Sequence, residues 1–141
     1  MLAVLSALML AAAAGAPSLV AVTATYLPPV KGSEATVAVQ FAPTDPNIRV
    51  NEDPAPRLKL GPEQQVLAEK APPAGKKTRP ADGEARYLDA AVPLAFPVLL
   101  KPGVAAGSHE VKASVTYFYC SKSEGWCRKG TSDVSLDVHV P

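Results

Sequence analysis

The residues best equipped for chemistry in this chain are its two cysteines, Cys120 and Cys127, with six residues between them in the stretch VTYFYCSKSEGWCRKGTSDVSLDVHV. Such a pair can form an inert disulfide, exchange disulfides with another thiol, or hold a soft metal ion. Exchange requires a thiolate, and nearby cations favour one. Lys122, Arg128 and Lys129 lie within two residues of a cysteine, against one acid, Glu124, in the same loop. Trp126, beside Cys127, offers an apolar contact of the kind that anchors docking partners. Basic residues in a polar loop are also ordinary solvated surface, and a tryptophan there can fold back over a domain edge. A disulfide across so short a loop contributes only about 2.5 kcal/mol in the chain-entropy model, and a staple kept for stability does more when it joins distant strands. The pair therefore leans toward reactivity.

A metal site that includes histidine is excluded by distance. His109 precedes Cys120 by eleven residues, about 36 Å along a strand, whereas zinc ligands sit about 2 Å from the ion. His139 is similarly far away on the final strand. Copper(I) held by the two thiolates alone is the remaining metal alternative; neither a metal nor an organic cofactor is expected. The chain has no G-x-S-x-G, no glycine-rich phosphate loop and no H-E-x-x-H, so nothing points to a hydrolase. The paired acids Glu52 and Asp53 lie in a proline-flanked turn, where solvation explains them.

What a cysteine pair means depends on its compartment. Residues 1–16 read as a signal peptide: an apolar run followed by small residues, with Ala14 and Ala16 at the −3 and −1 positions of an A-x-A-like cleavage site and Pro17 opening the mature chain. The usual basic start is missing, since the first Lys or Arg is Lys31. The competing reading is a membrane anchor, because apolar character runs on from Leu2 to Val22, about the ~20 residues a spanning helix needs. Pro17 and the β-branched residues after it argue against one continuous helix. A periplasmic or secreted protein is expected, with a membrane association only if that segment is retained.

Residues 17–141 are one domain's worth of chain. With 14 basic and 13 acidic residues the net charge is +1, which gives no electrostatic case for nucleic acid. Fifteen prolines and 6% aromatic residues disfavour a helical bundle and a base-stacking platform. The chain is expected to act as a monomer.

Wherever the mature chain has a period, it is two. Ala35, Val37, Val39 and Phe41 alternate with polar or small residues. Val111, Ala113, Val115, Tyr117 and Tyr119 do the same, as do Val134, Leu136, Val138 and Val140. Shorter strands are expected in NIRVN, RLKL, QQVLAE and ARYLDAAVPLAFPVLL, where Pro93 and Pro97 require an edge or a bulge. The last two strands are placed at about 110–119 and 132–140, with a loop between them and the cysteines facing each other across its base. The segments PTDP, EDPAP, APPAGKKTRPADG and KPGVAAG supply turns and loops. No apolar 3.6-residue period with caps is present. The expected fold is all-β, an immunoglobulin-like antiparallel β-sandwich.

The stretch YLDAAVPLAFPVLLKPGVAAGSHEVKASVTYFYCSKSEGWCRKG resembles the immunoglobulin-fold amino-terminal domain of the thiol:disulfide interchange protein family DsbD and related domains. The resemblance is carried by Pro93 or Pro97 within an apolar strand and by the turn at Pro102–Gly103. It continues through Val115–Tyr117 leading into Cys120, Gly125–Trp126 just before Cys127, and the closing strand Val134–Val140. It implies a redox-active Cys120–Cys127 pair that relays electrons to or from thioredoxin-like partners, with the mixed disulfide formed on Cys127. Tyr119, Trp126, Arg128 and Lys129 would then contact the partner or tune the thiols. The chain departs from that family in having six residues rather than five between the cysteines. Where the family carries an aromatic cap, TRPADGEARYL stands instead, with Asp82 and Glu84 as its acids and Tyr87 as its nearest aromatic. The reading from a different class is a non-catalytic immunoglobulin-like binding module whose disulfide fixes a recognition loop bearing Trp126.

Overall fold

A computed structural model describes residues 19–70 and 87–141, so the segment read as a signal peptide, together with Asp82 and Glu84, lies outside the described residues. The described residues form eight antiparallel strands: β1 (Val20–Leu27), β2 (Glu34–Pro43), β3 (Ile48–Val50), β4 (Arg57–Leu60), β5 (Leu67–Glu69), β6 (Leu94–Leu100), β7 (Gly107–Ser121) and β8 (Cys127–Val140). No helix occurs among the described residues. One sheet runs β1-β2-β6-β5. In the other, β7 pairs with β8 along one edge and with β3 and then β4 along the opposite edge.

Period-two alternation puts one face of each long strand into a shared core. Val37 and Val39 of β2, Val98 of β6, Val111 and Val115 of β7, and Leu136 and Val138 of β8 are all essentially inaccessible to solvent. Each contributes about 1.5–3 kcal/mol relative to an exposed side chain. Two sheets that must hide these faces from water pack against each other, and β1 lies against β8. The Tyr26 hydroxyl is buried there with no hydrogen-bond partner among the described residues, and burial raises its pKa above that of a free tyrosine.

Pro97 sits inside β6, opposite Thr36 of β2. The bonds Leu100 N to Ser33 O and Lys101 N to Val66 O set which residues face which neighbour. By alternation, the Pro97 nitrogen points toward the β5 side, beyond Glu69 where β5 ends. The proline therefore costs no ladder bond. Pro93 stands just before β6 begins. Of the longer expected strand at 85–100, only its last seven residues form β6. Asp89 closes a turn before it, accepting the Ala91 N–H on its carboxylate and the Val92 N–H on its carbonyl. QQVLAE shortens similarly to β5, because the Gln64 side chain takes the backbone N–H groups of Val66 and Leu67.

The largest correction concerns the final hairpin. β7 and β8 do not stop at 119 and start at 132: they pair without interruption from Gly107↔Val140 to Cys120↔Cys127. The stretch Cys127–Ser132 shows no apolar period, because its outward residues face solvent and Gly130 occupies an inward position. A Cβ on Gly130 would come within 2.6–2.8 Å of the Tyr117 ring, which lies across it, 2% exposed and edge-on to Phe41. The ring is buried, so making room for a Cβ requires its neighbours to repack. Gly130→Ala is expected to lower stability by about 1–3 kcal/mol, and a second change, Tyr117→Leu, should suppress that increment. Urea melts of the two Gly130→Ala proteins beside their Gly130 parents test this; an unchanged midpoint for the single variant contradicts it.

Candidate functional site

The hairpin tip is built by Ser121, which is 5% exposed. Its N–H donates to Trp126 O, its carbonyl accepts from Gly125 N, and its hydroxyl accepts from Glu124 N. Gly125 has φ +72°, the left-handed region that glycine enters without strain. Lys122 N donates to Asn47 O and ties the tip to the segment before β3. This bracing fixes Cys120 and Cys127 as directly opposed residues, joined by a disulfide with their Cα atoms 4.0 Å apart.

Alternation sorts the neighbouring side chains between two faces. Tyr119, Trp126 and Arg128 lie on the core side at the mouth of the sandwich. There Trp126 packs edge-on against Tyr119 with centroids 5.8 Å apart, and the Arg128 guanidinium stacks 4.1 Å over the indole. The Trp126 Nε1–H donates to Glu124 Oε2. Trp126 is thus half-buried and folded back on the domain. The disulfide lies on the outer face of the β7–β8 sheet, and of the two cations on β8, Arg128 and Lys129, Lys129 is the one on that face. Residues two apart on a strand share a face at about 6.7 Å spacing, which places Lys129 one row from Cys127.

The two sulfur-bearing residues have different surroundings. Cys120 is only 5% exposed, while Cys127 is exposed. Cys120 is covered from the β3 side, where Arg49 is its register partner and Asn51 Oδ1 lies 3.2 Å from its sulfur. The Asn51 backbone is held by its N–H to Phe118 O of β7 and by an isolated bridge to Tyr87, which fix the position from which its side chain reaches the sulfur. A disulfide sulfur has no proton to give; once reduced, the Cys120 thiol finds an acceptor in place. Turned over, the same amide presents a donor to a thiolate. Arg49, on the same β3 edge, is exposed and on the same outer face of the sheet. Neither residue stood out in the sequence, because a strand in NIRVN does not say which strand it pairs with. Tyr87 comes beside Asn51 through its backbone.

His109 and His139 pair near the other end of the hairpin, opposite Val138 and Ser108, far from the disulfide, and no cluster of three potential metal-binding side chains occurs among the described residues. No helix there is long and apolar enough to cross a membrane. Comparison with known proteins gives no matching family model, no matching curated protein and no matching solved structure.

The difference in exposure has a direct chemical readout. In the reduced, folded protein a short iodoacetamide pulse is expected to label Cys127 at least about tenfold faster than Cys120, and Asn51→Ala should raise labelling of Cys120. Peptide mass spectrometry measures both rates; equal labelling in the parent protein contradicts the asymmetry.

Proposed function

We propose that the chain is an extracytoplasmic thiol:disulfide exchange module in which Cys127 meets the partner and Cys120 is the internal partner thiol. The observation that carries this reading is the unequal cover of one disulfide: an open Cys127 beside a Cys120 held at 5% exposure against Asn51. Thiol–disulfide exchange needs a thiolate approaching the attacked sulfur in line with the bond it breaks. Only the Cys127 side is open to that approach. A partner thiolate attacks Cys127 Sγ, the bond to Cys120 breaks, and the electron pair leaves on Cys120 Sγ beside Asn51. A second thiol of the partner then attacks its own sulfur in the mixed disulfide and frees Cys127. The partner dithiol is oxidised and the module reduced by two electrons. In the reverse direction Cys127 attacks an oxidised partner and Cys120 resolves the adduct. Thioredoxin-like proteins, which present such a dithiol, are the partner class, and a periplasmic or secreted location is where a disulfide of this kind persists.

A second reading has its own supporting observation. The bracing of the tip by Ser121, Glu124 and Arg128 also suits a fixed recognition loop whose disulfide never opens. The variants separate the two. Cys120→Ala should trap a mixed disulfide with a monothiol thioredoxin whose cysteine is activated as its thionitrobenzoate disulfide, releasing thionitrobenzoate, and Cys127→Ala should trap about tenfold less, since its remaining thiol is covered. Non-reducing electrophoresis reads the adducts. Equal and negligible trapping, with each variant losing about 2–3 kcal/mol of stability, leaves the recognition loop standing and removes the exchange module.

A further inference from the structure

The outer face of the β7–β8 sheet continues past the disulfide, and its side chains form a pattern that the exchange reaction alone does not require. The row Arg49–Cys120–Cys127 is followed by Asn51–Phe118–Lys129 and then by Arg57–Thr116–Thr131. Rows are spaced by about 6.7 Å. Over Phe118, between the turn at Asp53–Ala55 and β8, lies a groove of about 510 Å³ with Pro54 and Ala55 on one wall and Arg57 and Lys129 at its margins. That volume is in the range of small-molecule sites. Among the described residues the ion pairs are Lys70–Glu34 and Lys112–Glu110, so Arg49, Arg57 and Lys129 have no carboxylate partner there. Asp53 is the one acid lining the groove. The groove one row from the disulfide therefore has Phe118 in its floor and two cations, Arg57 and Lys129, against one acid, Asp53.

We infer that this groove binds the carboxylates of an anionic low-molecular-weight thiol, a thiol peptide of the glutathione type, and holds its sulfur at Cys127. The inference rests on the exchange reading above and names a substrate class for the same sulfur. Arg57 and Lys129 receive the carboxylates, Phe118 packs against the ligand's backbone, and the ligand extends past Lys129 so that its thiolate reaches Cys127 Sγ from the open edge of β8, in line with the bond to Cys120. Its attack on Cys127 Sγ breaks the bond to Cys120, whose sulfur leaves with the electron pair and takes a proton from solvent. The product is a mixed disulfide between the ligand and Cys127. A second thiolate attacks the ligand sulfur of that adduct, releasing Cys127 and a small-molecule disulfide. Two thiols lose two electrons and the protein disulfide gains them, so no further oxidant or reductant is needed. Attraction to Arg57, Lys129 and Arg49 raises the local concentration of such a thiol, in proportion to its negative charge and to the screening length.

The test reduces the intact oxidised protein with four thiols: mercaptosuccinate, glutathione, 2-mercaptoethanol and cysteamine. Rates are corrected for each thiol's own pKa and nucleophilicity, and the site of the adduct is read by mass spectrometry. The two carboxylate-bearing thiols are expected to react about tenfold faster than the neutral one at low ionic strength, with cysteamine slowest. The spread should collapse near 1 M salt, where the screening length falls to about 3 Å. Arg57→Gln and Lys129→Gln should each lower the ratio of anionic to neutral rates. A flat series, or a ratio unmoved by both variants, overturns the groove proposal and leaves exchange at Cys127 intact. Failure of all four thiols to open the disulfide in the folded protein overturns both.

Discussion

The uninterrupted antiparallel register from Gly107↔Val140 to Cys120↔Cys127 is the constraint on which both the core and the site depend. Because side chains alternate along a strand, a slip of one residue would turn Val111, Val115, Leu136 and Val138 out of the core. Burial of that set fixes the register, and the register carries outward along the hairpin to its tip. It brings the two cysteines opposite each other and puts their sulfurs on the outer face. The same parity sends Trp126 and Arg128 to the other face. The core thus positions the sulfurs from the opposite face of the sheet.

The second edge of β7 supplies the asymmetry. β8 covers β7 along its whole length, but β3 and β4 share the opposite edge in succession. β3 passes beside Cys120 at Arg49 and ends opposite Tyr119, and the chain continues through Asn51 into the segment that walls the groove. Cys120 therefore has strands on both flanks, and Cys127, on the outer strand of the sheet, has one. Exposure of one sulfur and cover of the other follow from their places in the sheet. Cations gather on the same face because Arg49, Arg57 and Lys129 occupy outward positions on three strands that the sheet brings side by side.

The sequence carried the strands whose period is set by the core and little of what lies beyond them. Val37–Phe41, Val111–Tyr119 and Val134–Val140 alternate because one side of each is dry, and that is visible in the residues themselves. Cys127–Ser132 pairs just as regularly, yet it is polar outside and interrupted inside by Gly130, so no apolar period marks it as strand. The expected loop at 120–131 was consequently too long. Arg49 and Asn51 escaped notice for a different reason: their importance comes from a pairing between β3 and β7, about 70 residues apart in the chain, and local periodicity does not encode long-range register. The proximity of the cysteines was legible from their spacing. Which sulfur is open was not, since that depends on what β3 places against Cys120. Arg128 and Lys129 look equivalent as neighbours in sequence, and alternation separates them to opposite faces.

An exchanging disulfide and an inert one differ most directly in their equilibrium with external thiols. Structural disulfides in secreted proteins have potentials below about −300 mV, whereas exchanging pairs lie closer to those of their partners. The deciding measurement is a redox titration of the folded protein in thiol–disulfide buffers of graded potential. Trp126, the single tryptophan and the neighbour of Cys127, provides a fluorescence signal, and thiol alkylation provides an independent count. The account predicts a reversible two-electron midpoint above about −300 mV, reached without loss of β-sheet circular dichroism. A pair that stays oxidised throughout that range, or opens only as the sheet unfolds, would contradict it.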